Sequence, residues 1–171
     1  MKKIVTILLL VCACTASLSA RTKNKARYEG TFETGFVSYF DPLNSSYGNW
    51  HTFDFTTTHG VRFNKNFFMG LGTGVTTSMI GLGVPLYLDF KGYFTRVKKR
   101  KAYPYLDARL GANFQFAEFD NYAIGAYCNL SVGCNYEISK KSALFAAIGI
   151  QTMSLWNSPY LGPVCRIGVS F

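Results

Sequence analysis

Apolar and polar residues alternate along most of the chain beyond residue 26. Leu106, Ala108 and Leu110, for example, enclose Asp107 and Arg109. Successive side chains of a β-strand point to opposite faces, so this two-residue period predicts strands with one apolar and one polar face. The chain is therefore expected to belong to the all-β class.

Eight alternating runs follow one another, with short polar segments between them. Each run is near the length of about 9–11 residues that a tilted strand needs to cross a bilayer. An even number of antiparallel strands returns both termini to one side, which is the periplasm for a bacterial barrel. We predict strands over Arg27–Ser38 and Trp50–Phe63, from Phe67, from Val84, after Lys101, over Tyr122–Glu137, around Leu144–Ile150 and over Leu161–Phe171, with the longest external loops at Phe40–Asn49 and Ser154–Tyr160.

The stretch from Asn66 to Leu88 carries no charge, and a membrane helix is the alternative interpretation of it. It contains five glycines and Pro85, however, together with several threonines. Glycines at 70, 72 and 74 recur every second residue, which is the period of a strand and not of a helix. Two strands joined by a hairpin therefore explain this stretch better.

The number of charges indicates how the sheet closes. An alternating eight-stranded sheet closes with its apolar face inward, as a soluble calyx, or outward, as a membrane barrel. Only 16% of the chain is charged, whereas soluble domains usually carry about 25% charged residues. A Lys or Arg at the bilayer midplane costs about 2–4 kcal/mol, so a membrane barrel must keep its charges inside. We predict an eight-stranded antiparallel up-and-down transmembrane β-barrel, with a periplasmic calyx as the alternative.

The bore of an eight-stranded barrel is only wide enough to be filled by side chains. Charges inside it must pair with one another or bind trapped water, because an unpaired buried charge is costly. Glycines on several strands are expected to make room for Arg and Tyr. We predict a network of lumen charges formed by Glu29, Glu33, Asp54, Arg62, Asp89, Lys91, Asp107, Arg109 and Arg166, with Arg27 and Glu137 on the same face.

The N-terminus has the pattern of a secretory signal. Lys2 and Lys3 precede the apolar run from Ile4 to Ala13, and small residues follow up to Ala20. Cleavage after Ser19 or Ala20 gives a signal peptide over 1–20, a periplasmic tail over 21–26 and a barrel over 27–171. The alternative is a lipobox ending at Cys14, which would attach a lipid there.

The remaining charges separate by side of the predicted barrel. The tail and the turns on the periplasmic side carry bases only: Arg21, Lys23, Lys25, Lys65, Arg96, Lys98, Lys99, Arg100, Lys101, Lys140 and Lys141. The external loops carry only acids: Asp41, Glu118 and Asp120. We interpret the basic rim as solubilising, with contact to anionic lipid headgroups or cell wall as the alternative. Nucleic acid is not expected as a partner of a secreted, lipid-embedded chain.

No residue pattern points to catalysis, a cofactor or a metal. His51 and His59 both fall on the lipid-facing parity, and neither has a serine two residues later. A β-bulge near Thr57 would turn His59 inward, but it would then expose Arg62. The mature cysteines, Cys128, Cys134 and Cys165, lack metal-ligand spacing and are expected to face lipid as small apolar side chains.

The last strand resembles that of the small outer-membrane β-barrels of the OmpA-barrel and OmpX-like family. Ile167, Val169 and the C-terminal Phe171 match the alternating apolar and aromatic signal by which that family is recognised for barrel assembly. The resemblance covers residues 27–171. It implies a bacterial outer-membrane location, the barrel assembly machinery and outer-membrane lipids as partners, and envelope-stabilising, adhesive or host-interaction roles of the external loops.

Taken together, these features predict a monomeric, non-enzymatic outer-membrane barrel with a plugged polar lumen. Its role would be structural or surface-interacting, in envelope integrity or adhesion, with a surface ligand bound through the external loops. A narrow-pore channel is the first alternative, and a lipid A-modifying barrel enzyme is the second.

Overall fold

The computed structural model describes residues 26–40, 50–63, 66–78, 81–94, 102–116, 122–139, 142–155 and 158–171. The predicted signal peptide, Cys14 and residues 21–25 of the tail lie outside the described residues. The same holds for the loop residues Asp41, Glu118 and Asp120. Within the described ranges, no helix is long and apolar enough to span a membrane.

The described residues form eight strands: β1 Arg27–Tyr39, β2 Trp50–Phe63, β3 Phe67–Ser78, β4 Gly81–Tyr93, β5 Ala102–Phe116, β6 Tyr122–Glu137, β7 Ala143–Leu155 and β8 Ser158–Ser170. Each strand pairs antiparallel with the next one in the chain, and β8 pairs with β1 to close the barrel. The predicted fold class and the up-and-down topology are confirmed. Residues 67–78 and 81–88 are strand, so the helix alternative for this stretch is wrong.

Two predicted boundaries are wrong. β4 begins at Gly81 and not at Val84, because Gly81 already pairs with Ser78 across a hairpin, with a positive φ of 138° that favours glycine. The predicted external loop Ser154–Tyr160 belongs mostly to β7 and β8, which remain paired up to Leu155 and Ser158. Serine and proline are typical of loops, but continued pairing with the neighbouring strand outweighs this local preference here.

The two faces of the sheet are oriented as a membrane barrel requires. Leu88 and Leu110, which pair with each other, are 46% and 54% exposed on the outer wall, whereas the next pair, Asp89 and Arg109, is fully buried in the bore. The cysteines at 128, 134 and 165 are free thiols on outward-facing positions. The soluble calyx, which would place leucine at the centre and arginine outside, is thereby excluded.

Glycines leave room for tyrosine rings within the bore. A Cβ atom on Gly72 would lie 2.3 Å from the ring of Tyr87, and one on Gly133 would lie 2.5 Å from the ring of Tyr105. Such distances are far inside van der Waals contact, so any larger residue would displace the rings. Small residues on β3 and β6 therefore determine where the aromatic side chains of β4 and β5 can lie.

Candidate functional site

An ion cluster occupies the middle of the bore. Arg109 on β5 makes two hydrogen bonds to the carboxylate of Glu33 on β1, one of them from Nη2 to Oε2 at 2.9 Å. The same guanidinium donates to Asp107 from Nη2 at 2.8 Å and from Nε at 3.1 Å. All three side chains are buried. Because a buried guanidinium without partners is strongly destabilising, these carboxylates are what allow Arg109 to lie there.

A second cation joins the cluster from β4. Lys91 Nζ lies 3.2 Å from Asp89 Oδ2, and Arg109 Nε lies 3.8 Å from the same oxygen. The Lys91 ammonium is also 5.3 Å from the ring of Phe68 and 5.6 Å from that of Phe145. Aromatic faces attract cations, so these two rings add to the stabilisation of the buried ammonium.

Arg166 on β8 is bound mainly by neutral groups. It donates from Nη1 to Asn129 Oδ1 at 2.7 Å and from Nη2 to Tyr127 Oη at 3.1 Å, and it also bonds Gln151 Oε1. The nearest carboxylate oxygen in an ion pair with it belongs to Glu33, 3.8 Å from Nε. Arg166 therefore connects the central ion cluster to a layer of amide and phenol groups.

Gln151 on β7 continues this layer toward Asp54 on β2. Its Nε2 donates to Tyr39 Oη at 2.5 Å and to Asp54 Oδ2 at 3.4 Å. Thr52 also donates to Asp54, at 3.3 Å. The carboxylate of Asp54 is thus linked to Arg166 through one glutamine, and not by direct contact.

Apolar and aromatic side chains lie on both sides of these polar layers. On the side of the connections β1–β2 and β7–β8, which we term the loop end, an upper cluster is formed by Val37, Tyr39, Met153, Tyr160 and Val164, with Trp50 stacked on Tyr39 at 4.7 Å. On the side of the chain termini, which we term the terminal end, a lower cluster is formed by Phe68, Tyr93, Tyr103, Tyr105, Phe145 and Ala147. The buried charges thus lie between two largely apolar layers.

The architecture is that of a known class of solved structures. The crystal structure of Neisserial surface protein A superposes with a TM-score of 0.72 at 14% identity, covering 86% of this chain and 98% of that one. This chain therefore has the fold of the small outer-membrane β-barrels. The N-terminal β-barrel domain of Pseudomonas aeruginosa OprF is also similar, with a TM-score of 0.55 at 15% identity over 86% of this chain and all of that one. No protein-family model and no curated protein sequence matches the chain.

The terminal mouth of the barrel holds a separate ion pair. Arg62 Nη1 lies 3.2 Å from Glu29 Oε2, and its guanidinium lies 3.7 Å from the centre of the Tyr93 ring. Tyr93 in turn donates from its hydroxyl to Glu29 at 2.5 Å. A small cavity of about 50 Å³ opens beside the pair, bordered by Arg27 and Tyr103 among others. The pair is partly exposed, unlike the central cluster.

The nine charges predicted for the lumen therefore divide into three groups. The structure brings together Glu33, Asp89, Lys91, Asp107, Arg109 and Arg166. It places Glu29 with Arg62 at the mouth and links Asp54 to the rest through Gln151. The three residues of the predicted assembly signal, Ile167, Val169 and Phe171, lie on the outer wall.

The neutral half of the network was not found from the sequence. Gln151 and Met153 face inward on β7, and Tyr127 and Asn129 face inward on β6. The inward direction of these side chains could be predicted from the apolar residues that alternate with them along each strand. Counting the charged residues does not detect these four side chains, because amides, phenols and thioethers carry no formal charge.

The barrel accommodates His59 on its outer wall without a bulge. Pairing of β2 with β3 is continuous from Thr52 to Phe63. Tyr28 Oη lies 2.5 Å from His59 Nδ1, and Thr57 Oγ1 lies 3.0 Å from His59 Nε2. Thr57 also donates to the Thr31 carbonyl at 3.0 Å, so it accepts from Nε2–H while Tyr28 donates to Nδ1. Because the pairing of β2 with β3 is unbroken, the alternative of a β-bulge that turns His59 inward is wrong.

The direction of the Thr57 hydrogen bonds bears on whether this hydroxyl could act as a nucleophile with His59 as its base. A hydroxyl nucleophile must give its proton to the neighbouring histidine. The Thr57 proton is instead directed at a backbone carbonyl, and both nitrogens of His59 are already engaged. Elsewhere in the described part of the chain, no cluster of three or more His, Cys, Asp or Glu is arranged to hold a metal ion.

Proposed function

We propose that this chain is a non-enzymatic outer-membrane protein whose lumen is plugged by its own side chains, and that its role is structural or surface-interacting. The observation that carries the proposal is the central cluster of Arg109, Glu33 and Asp107, buried between the upper and lower clusters. The likeness to solved outer-membrane barrels supports the location, with the terminal end in the periplasm.

The energetics of the bore favour a plug over a pore. An ion crossing the bore would have to separate Arg109 from Glu33 or Asp107. It would also have to displace side chains of both the upper and the lower cluster. Breaking one buried ion pair costs about 3–5 kcal/mol. A cost of that size leaves the open state rarely populated, because every 1.4 kcal/mol lowers the ratio of open to closed molecules by about a factor of ten.

The external connections favour an envelope role over recognition of a large ligand. The strands leave residues 40–49, 79–80, 117–121 and 156–157 between them at the loop end, so two of these four connections contain only two residues. Binding residues of a barrel are usually carried by its loops. A surface ligand, if present, would be bound mainly by 40–49. Outer-membrane lipids and the barrel assembly machinery, through Ile167, Val169 and Phe171, are the partners we propose.

Planar-bilayer recording tests the plug. The purified protein, shown to be folded by a heat-dependent shift in gel migration, is expected to give no steady current. A double variant is made for comparison, in which less side-chain volume blocks the bore. It combines Met153→Ala with Tyr39→Ala and so removes part of the upper cluster. Steady conductance of the unmodified protein would establish the narrow-pore alternative. Mass spectrometry of lipid A from cells with and without the protein is expected to give identical spectra, and an altered acylation pattern would establish an enzyme.

A further inference from the structure

Asp54 differs from the carboxyl groups of the central cluster in having no cationic partner. It is 2% exposed, yet it forms no ion pair with any Lys, Arg or His of the described ranges. Glu33, Asp89 and Asp107 are buried to a similar degree, and each of them lies in an ion pair with a lysine or an arginine. The burial of Asp54 therefore needs a different explanation from theirs.

The hydrogen bonds of Asp54 are also longer than those of an ionised carboxylate. Thr52 Oγ1 lies 3.3 Å from Asp54 Oδ1, and Gln151 Nε2 lies 3.4 Å from Asp54 Oδ2. Charge-assisted hydrogen bonds from nitrogen are usually about 2.7–2.9 Å long. The two carboxylates bound by Nη2 of Arg109 accept at 2.9 and 2.8 Å. Both contacts of Asp54 are thus long and come from neutral groups, which compensate a negative charge poorly.

The charges near Asp54 are already balanced without it. The central cluster sets three carboxylates against three cations: Glu33, Asp89 and Asp107 against Lys91, Arg109 and Arg166. A charged Asp54 would leave one negative charge in excess. Arg166 attracts Asp54 through space, but Gln151 is bonded to both and lies between them. The remaining groups that act on Asp54 are uncharged at neutral pH: Tyr39 of β1, Thr52 of β2, Thr76 of β3, Tyr127 of β6 and Gln151 of β7.

An isolated carboxylate in a low-dielectric interior is so unstable that it takes up a proton instead. We infer that Asp54 is a proton-binding site, held as a neutral carboxylic acid beneath the upper cluster when the barrel is folded at neutral pH. The Thr52 hydroxyl accepts hydrogen bonds as well as donating them, so it suits the protonated form. Loss of the proton would place an unbalanced charge beside Tyr39 and Gln151, and the loop half of the bore is therefore expected to weaken as the pH rises. This inference rests on the contacts of the barrel and does not depend on whether the bore blocks ions.

Infrared spectroscopy of the full mature protein in lipid vesicles at neutral pH detects the proton directly. A neutral carboxyl gives a carbonyl band that is separate from the bands of ionised carboxylates, and isotopic labelling of aspartate assigns the band to this residue type. We expect one such band, which is lost in Asp54→Asn. Asp107→Asn is the matched control, because Asp107 is equally buried but bound to Arg109, and it is expected to retain the band. A neutral-aspartate band that is absent from the unmodified protein, or that persists in Asp54→Asn, would overturn the inference.

Urea unfolding in the same vesicles at several pH values is the second test. A neutral Asp54 means that the folded protein binds one proton more than the unfolded chain, whose aspartates ionise at about pH 4. Relative to Asp54→Asn, the unfolding constant of the unmodified protein is therefore expected to rise about tenfold for each pH unit between about pH 5 and about pH 7. Any contribution from His51 and His59 is common to both proteins and cancels in this comparison.

The two asparagine variants are also expected to differ in stability. Asp54→Asn replaces one neutral group by another of similar shape, so at neutral pH it is expected to be at least as stable as the unmodified protein. Asp107→Asn removes a partner of Arg109 and is expected to be clearly less stable. The same pH dependence in Asp54→Asn and the unmodified protein, or an Asp54→Asn variant that fails to fold, would each contradict a neutral Asp54. A conductance of the unmodified protein would overturn the plug and leave this result untouched.

Discussion

Replacing Glu33 with glutamine removes one negative charge from the centre of the bore and leaves the side-chain volume almost unchanged. Among the charges brought together there, Glu33, Asp89 and Asp107 balance Lys91, Arg109 and Arg166. The variant leaves one positive charge in excess. Thr56, which donates to Glu33 Oε1 at 2.7 Å, can still donate to the amide oxygen. The loss is therefore one of charge pairing and not of packing.

The size of the effect follows from what Arg109 retains. Removing one partner of a buried ion pair costs about 3–5 kcal/mol. Asp107 keeps its hydrogen bonds to Arg109 at 2.8 and 3.1 Å, so we expect the lower limit, about 3 kcal/mol. The matched control is Glu29→Gln at the mouth, whose ion pair with Arg62 is partly exposed. Solvent-exposed pairs contribute about 1 kcal/mol or less, and because this pair opens to solvent at the mouth we expect a loss near that upper limit.

Urea unfolding of the barrel in lipid vesicles, followed by tryptophan fluorescence, measures both variants. With a slope of about 2 kcal/mol per molar urea, Glu33→Gln is expected to lower the midpoint by about 1.5 M and Glu29→Gln by about 0.5 M or less. Combining Glu33→Gln with Arg109→Gln is expected to cost less than the sum of the two single changes, because the pair is then removed as a unit. Equal midpoints for Glu33→Gln and Glu29→Gln would refute the reasoning.

Three further changes use the same unfolding measurement. Leu110→Arg turns a charge toward lipid and is expected to cost about 2–4 kcal/mol; a loss below that of Leu110→Ala would contradict the assignment of the outer wall. Gly133→Val pushes on the Tyr105 ring, which lies 2.5 Å from a Cβ built at this position, and is expected to cost about 1–3 kcal/mol. Adding Tyr105→Ala should remove that clash, so an undiminished loss would argue against it. Tyr28→Phe leaves His59 Nδ1 without its donor and is expected to cost about 1–3 kcal/mol, whereas Tyr28→Phe combined with His59→Phe removes both partners and is expected to be nearly neutral. Equal losses would contradict the assigned hydrogen bonds.

Much of this architecture is already present in the sequence, because alternation is a local property. In a strand, the side-chain direction of each residue follows from that of its neighbour. Leu88, Asp89 and Lys91 could therefore be assigned to their faces without knowledge of any partner. The number of strands and the inward direction of the charges followed in the same way, once the cost of a charge in lipid was considered.

Tertiary structure decided which inward residues meet. The stagger between strands brings Arg109 of β5 to Glu33 of β1, on opposite sides of the sheet order, and no local pattern contains that stagger. The same holds for Gln151, which becomes a link between Arg166 and Asp54 only when the barrel closes. Tyr28 of β1 likewise becomes a partner of His59 only through the pairing of β1 with β2. Side-chain direction is determined within a few residues of chain, whereas contact across a bore depends on the register of every strand between.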